Sequence, residues 1–182
     1  AKDPEWVRVA RKAGISQFVE LGFPTLQDED WRFTNVAPIA KLPFKPVLES
    51  TGEGVTAQAL DRFTFAELAG SRLVFVDGHF APELSSTVNL PEGVKVKSLA
   101  EAIAKDPAQV EPHLFHHARS DASSFTALNT AFFKDGAFIY VPAGQTVPEP
   151  IQLLYVSTAK EDGTTAHVRN LIVAESSSQA TI

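Results

Sequence analysis

GAFIYVPAGQTVPEPIQLLYVSTAKEDGTTAHVRNLIVAESSSQATI, residues 136–182, contains short apolar runs and no helical spacing. The runs are Phe138–Val141, Ile151–Ser157, His167–Glu175 and Gln179–Ile182, with loops rich in Pro, Gly, Ser and Thr between them. That texture predicts an all-β segment. Leu171-Ile172-Val173 is apolar on both faces, so at least one strand lies inside a layered structure. The uneven spacing fits a parallel β-helix with irregular corners, or a jelly roll. Ala180-Thr181-Ile182 ends in a strand-like run without a turn or polar tail. A solenoid cannot bury its last coil without a neighbour or cap, so this reading predicts a truncated fragment of a chain with more coils. The open β-helix edge would also permit self-association.

Upstream the chain reads differently. Asp3 as N-cap and Pro4 as first helical residue predict a helix. Its apolar stripe is Val7, Ala10, Gly14, Phe18 and Leu21, with Gly14 a point where it could divide. Gly22 and Pro24 stop it. Residues 24–52 are irregular, with Trp31 and Phe33 expected to anchor them, and Thr51–Gly54 reads as a loop. Thr64 and Glu67 have capping-box spacing, which predicts a short helix over 64–69. Leu73–Val76, Asp77-Gly78 and His79-Phe80 predict a hairpin. Val94–Lys97 alternates as a half-exposed strand. Ser98 and Glu101 cap a helix over 99–105, and Asp106-Pro107 restarts one through about Ala118. Asp121 or Ser123 opens a third, with Phe125, Leu128 and Phe132 on one face and Asp135-Gly136 ending it. The fold class is therefore α+β. Residues 1–120 form a helical region with a small hairpin-containing α/β part, and residues 121–182 begin the β core.

Composition excludes several functions. The 182 residues carry a net charge of −6 and no cysteine. An acidic chain without a basic run has no counterion-release drive toward nucleic acid. Thiolate metal sites and cysteine-held iron–sulfur clusters are excluded from this segment. No apolar run is long enough to cross a bilayer. The start, Ala1-Lys2-Asp3-Pro4-Glu5-Trp6, shows no signal-peptide pattern and predicts the cytoplasm.

Candidate sites are sparse. His113, His116 and His117 could share one helix face and hold a divalent ion, with Asp121 one turn on. The plainer reading is a titrating histidine cluster that binds nothing. His79 reads as structural. Tyr140–Gly144 has the look of a cupin turn, which would make the chain a cupin-like β-barrel, either a metal-dependent enzyme or a small-ligand-binding module. A cupin holds its metal with a His-x-His pair, and beside His167 position 169 is Arg. No phosphate-binding GxxxxGK[ST] and no GxSxG elbow occurs. Ser176–Ser178 reads as a corner, and Glu149, Glu161, Asp162 and Glu175 are too scattered for acid–base work on a polysaccharide.

Three stretches in order carry a resemblance. Leu21–Thr25 with Asp28–Thr34 resembles the "LPT…EEWRYT" signature of SufD proteins in the SufB/SufD family. Leu73–Phe80 is similar to their "LVFVNGHF" hairpin, and Phe125–Pro142 to their "FxALNTAFxxDGxxVYVP" entry into the core. Pro150–Leu154 and Arg169–Val173 continue the pattern. The resemblance implies a helical region followed by the first coils of a right-handed parallel β-helix. It also implies a non-catalytic scaffold subunit that works with SufB and the ATPase SufC, with a nascent iron–sulfur cluster formed by the full complex. The family's cluster-site and SufC-binding motifs have no counterpart in residues 1–182, so no catalytic, cofactor or metal residue is assigned.

Overall fold

The first residues after the N-terminus build a helix, though not from the predicted cap. The structure, a computed structural model, describes residues 3–49, 54–65, 70–88, 90–121, 123–158 and 162–182. Helix α1 spans Glu5–Leu21 with Pro4, not Asp3, at the cap position. Asp3 is drawn away to Arg11, whose Nε donates to it at 2.8 Å. Gly14 does not divide the helix. A Cβ there would lie 2.9 Å from the Ala127 carbonyl and 3.0 Å from the Ala131 amide, so glycine is what lets α1 meet helix α6, Ser124–Phe132. That contact buries Ala127 and Thr130, whereas the predicted face of Phe125, Leu128 and Phe132 is only half-buried. Small side chains allow close backbone approach, and that outweighs the larger apolar stripe. Gly22 ends α1 at φ 66°, its amide bonded to the Phe18 carbonyl at 2.8 Å.

The segment after α1 holds a 3-10 turn at Glu29–Trp31, the one-turn helix α2 at Ala37–Ala40 and strand β1 at Lys45–Pro46. Trp31 anchors it, its ring 5.2 Å from that of Phe125. Phe33 does not: it is 88% exposed, with the Arg32 guanidinium 4.7 Å over its ring. Helix α3, Ala57–Leu60, is capped by Thr56, which accepts from the Ala59 amide at 3.2 Å. The expected loop at 51–53 and the body of the expected helix at 66–69 lie outside the described residues.

The hairpin forms where the local chemistry places it. Strand β2, Arg72–Val76, turns through Asp77 (φ 50°) and Gly78 (φ 85°) into β3, His79–Phe80. Strand β4, Lys95–Ser98, buries Val96 and leaves Lys95 and Lys97 half-buried. Helix α4, Leu99–Lys105, is capped by Ser98, which accepts from the Glu101 amide at 3.2 Å. Glu101 turns instead to Lys105 at 3.0 Å, so only half of the capping box closes. Helix α5 is a single turn, Pro107–Val110, and not a helix to Ala118. Pro112 lacks the amide to continue it, and Phe115 adopts a left-handed φ of 72°.

Asp106 sits between the two elements and receives Lys95 Nζ at 2.6 Å and Lys97 Nζ. Hydrogen bonds from both lysines lower its pKa to about 2. The group therefore contributes stability above the ordinary value of 3.8, and that contribution is lost as pH falls toward 2. Allowing for solvent screening, Asp106→Asn is expected to lose about 1 kcal/mol at pH 7. The difference from the parent should vanish near pH 2 in urea titrations at both values.

The remaining strands are β5 (Ala137–Val141), β6 (Gln152–Val156), β7 (Thr164–Thr165) and β8 (Leu171–Ala174). The sequence reading missed β7 and drew the run at His167–Glu175 too long. Gln179–Ile182 is no named strand, but Gln179 bridges Thr146, and Thr181 accepts from the Ile151 amide at 2.8 Å. Among the described residues three small sheets result, ordered β1-β7, β3-β2-β6 and β4-β5-β8. The β2–β3 and β4–β5 pairs are antiparallel; β1–β7, β2–β6 and β5–β8 are parallel. A jelly roll is antiparallel, so that alternative does not describe these pairs. Along the third sheet each residue faces the one 33 positions on: Asp135 and Val168, Phe138 and Leu171, Thr146 and Gln179. The described chain is α+β, and its core lies on both faces of the sheets. Phe138 and Leu171 pack with Val7, Leu99, Ile103 and Val110 of the helices. Ala137, Ile139 and Val141 face Leu73, Phe75 and Ile151 across the interior. Val74 and Val76 turn outward against Leu60, Ala81 and Leu84. Each such buried aliphatic side chain contributes about 1.5–3 kcal/mol, which is why strands covered on both faces read as continuous apolar runs.

Candidate functional site

The three histidines singled out by spacing do not share a helix face. They lie in the turns after α5, where the His113 amide bonds the Val110 carbonyl at 3.1 Å and the His116 amide bonds the His113 carbonyl at 3.3 Å. The left-handed Phe115 between them breaks the i, i+3, i+4 geometry that metal binding needed. His113 is half-buried and His116 and His117 are exposed. Asp121 is held in a two-pronged pair by Arg119, at 3.0 and 2.6 Å. Among the described residues no group of three or more His, Cys, Asp or Glu is placed to hold a metal ion.

The other candidates resolve into structural parts. His79 Nε2 lies 3.3 Å from the Val47 carbonyl and ties the hairpin to the segment after β1. His167 contacts the Thr165 hydroxyl at 3.1 Å and the Phe132 ring at 5.8 Å, and burial pushes its pKa down, favouring the neutral imidazole. The cupin-like turn at Pro142–Gly144 stacks on the next turn, the Gly144 amide bonding the Ser176 carbonyl at 3.0 Å. Glu175 accepts from the Tyr140 hydroxyl at 2.7 Å and the Ala143 amide at 3.2 Å. Ser176–Ser178 is a corner, with Ser177 at φ 59° and the Ser178 hydroxyl donating to the Glu175 carbonyl at 2.6 Å. Glu149 and Asp162 are exposed, and Glu161 lies outside the described residues.

What the fold does assemble is a polar joint between helices and sheets. Asp135 is buried, and burial pushes its pKa up against the hydrogen bonds that pull it down. Its carboxylate accepts from the Ser98 hydroxyl at 2.8 Å, the Ala100 amide at 2.9 Å and the Gly136 amide at 2.8 Å. One aspartate thus caps α4 and starts β5. Arg169 is buried beside it in the fold and reaches Thr130 Oγ1 at 2.8 Å, Asn129 Oδ1 at 3.3 Å and the Ala118 carbonyl. Asn170 Oδ1 accepts from the Ala137 amide at 2.8 Å and the Tyr155 hydroxyl at 2.7 Å. This arrangement fixes the segment at 135–137 against the one at 168–170. Every donor and acceptor named is engaged by protein, which makes the cluster a structural joint. No described helix is long and apolar enough to cross a membrane.

Comparison with known proteins assigns the chain. The family description "SufBD protein N-terminal region" matches residues 1–153. The chain belongs to the SufBD family. An iron–sulfur cluster assembly SufBD family protein of Synechocystis is 29% identical over 97% of this chain and 38% of its own length. The iron–sulfur cluster assembly protein SufD of Escherichia coli is 28% identical over 92% of this chain and 36% of its length. The SufD of Bacillus subtilis is 26% identical over 99% and 41%. The chain thus spans little more than a third of these SufBD relatives.

The sequence reading of this SufBD-family chain missed Asp135, Gly136 and Arg169 as joint residues. Asp135-Gly136 looked like a helix stop, and Arg169 was noted as a histidine that was absent and as part of the resemblance at Arg169–Val173. The available signal for Arg169 was an arginine inside an otherwise apolar strand-like run, which needs buried acceptors.

Proposed function

We propose that this chain is the front part of a SufD-type, non-catalytic scaffold subunit of the cytoplasmic SUF machinery for iron–sulfur cluster assembly. The observation that carries the reading is the repeated parallel step of 33 residues from Asp135–Val168 to Thr146–Gln179. Such a step is what successive coils of a right-handed parallel β-helix require, because a parallel crossover is right-handed in nearly all folds. In this reading residues 121–182 begin the β-helix, and residues 1–120 are the helical and α+β front whose β2 and β4 lie along its first coil. The partners are SufB and the ATPase SufC. The cluster is cargo of the whole complex, and His113, His116 and His117 hold no metal here. ATP is bound by SufC.

Co-expression of the full-length protein with SufB and SufC, followed by capture through a tag on SufC, tests the reading. All three proteins are expected in the eluate. A full-length protein that elutes alone as a monomer would overturn it. The cupin-like alternative predicts metal-dependent turnover or ligand binding by the isolated chain, which the scaffold reading does not.

A further inference from the structure

We propose that the lobe formed by residues 21–42 docks a cationic, apolar-anchored peptide segment of a partner protein. Two adjoining hollows share Pro24. One, of about 560 Å³, is lined by Phe23, Leu26, Ala37 and Ala40. The other, of about 590 Å³, has Trp31 at its wall and Asp28, Glu29 and Asp30 around it. Large apolar side chains stay uncovered across the lobe, with Leu26 52% and Leu42 54% exposed. An exposed apolar group of this kind on a polar-rimmed surface marks an interaction site more often than chance.

Charge selects the occupant. Asp28 accepts from the Thr25 amide at 2.7 Å and hydroxyl at 3.1 Å, which fixes its carboxylate in place on the rim. Glu29 pairs with Arg32 at 3.0 Å. Asp30 has no ion pair among the described residues. The lobe's remaining base is Lys41, past α2. A second copy of this chain would bring the same acids against themselves, and an anionic lipid surface or nucleic acid would be repelled. A segment with Leu or Phe anchors followed by Lys or Arg satisfies both hollows at once.

The probe is a fluorescently labelled synthetic peptide of about fifteen residues, with leucine and phenylalanine anchors ahead of a lysine run, against the same peptide with glutamates for lysines. Anisotropy should show saturable binding of the lysine peptide that weakens with added salt, and none of the glutamate peptide. Leu26→Asp and Asp30→Lys should each weaken binding about tenfold. Both side chains are exposed, so thermal midpoints by circular dichroism should not move. Absence of saturable binding, equal binding of the two peptides, or insensitivity to both substitutions would overturn the proposal. So would a dimer, seen in sedimentation, that Leu26→Asp splits, or capture by anionic phosphatidylserine vesicles in place of the peptide. The lobe stands apart from the stacking of the β-strands, so failure here leaves the scaffold reading untouched.

Discussion

Gly136→Ala is expected to destabilise the chain by about 3 kcal/mol or more, and to do so by prying the segment at 135–137 away from the one at 168–170. The reason is geometric. A Cβ at position 136 would lie 1.9 Å from the Arg169 carbonyl oxygen, 2.6 Å from the carbonyl carbon and 2.9 Å from Asn170 Oδ1. The first two are backbone atoms of the neighbouring segment, so no side-chain rotation relieves the clash. Relief requires moving the chain at 168–170, which holds the Arg169 amide to Asp135 at 3.0 Å and Asn170 to the Ala137 amide at 2.8 Å. It also disturbs the Gly136 carbonyl, which accepts from the Leu99 amide at 2.7 Å at the start of α4. Gly144→Ala is the control. Gly144 has φ 73° and nothing within 4 Å of its added Cβ, so its cost is the left-handed conformation alone, about 1 kcal/mol. Urea denaturation of the two variants beside the parent reads the contrast directly. Equal midpoints for the two would mean that the two segments are not packed as closely at Gly136 as the geometry requires.

Positions set by their immediate neighbours were legible in the sequence. Asp77-Gly78 needs positive φ at both positions, and Ser98 needs only the amide three residues on, so the hairpin and the α4 cap appear where expected. The apolar runs at β5, β6 and β8 announced strands because both faces of their sheets are covered or partly so. Errors arose where distant chain decides. Gly14 looked like a weakness in α1 because nothing local reveals that α6 lies against it. Phe33 looked like an anchor on hydrophobicity alone, yet Trp31 fills the place beside Phe125. The histidine cluster failed for a reason that was visible. Pro112 sits inside the supposed helix, and the spacing argument held only if that helix continued. Strand β7 escaped notice because Thr164 and Thr165 are not an apolar run, and their pairing partner is β1, far away in sequence. The SufBD resemblance was legible because its motifs recur in order along nearly the whole chain.

Arg169→Ala is expected to cost about 3 kcal/mol, and the loss should appear first in the segment before α6 and not in the strands. The guanidinium is buried and makes no ion pair among the described residues; its charge is tolerated because neutral acceptors surround it, and burial pushes its pKa below the usual arginine value. It donates to the Ala118 carbonyl, to Thr130 and to Asn129, and lies 5.0 Å over the Phe115 ring. Asn129 in turn donates to the Val168 carbonyl at 2.8 Å, closing a loop between α6 and the segment before β8. Truncation takes this donor from Thr130 and Asn129 inside the fold and from the Ala118 carbonyl at an exposed residue, and it opens a cavity beneath Phe115. Each buried unsatisfied group carries a penalty of about 1–3 kcal/mol; two such groups, with water reaching the Ala118 carbonyl, give a loss of about 3 kcal/mol. Arg169→Lys keeps the charge but loses the fork that reaches several acceptors at once, so it should recover less than half of the loss. Because Arg169 holds the Ala118 carbonyl next to the exposed Arg119, trypsin should cut after Arg119 faster in Arg169→Ala than in the parent at a pH where both are folded. A variant with a lowered urea midpoint but unchanged cleavage at Arg119 would show that Arg169 only fills space. Faster cleavage with a restored rate in Arg169→Lys would place its role in the hydrogen bond to Ala118 itself.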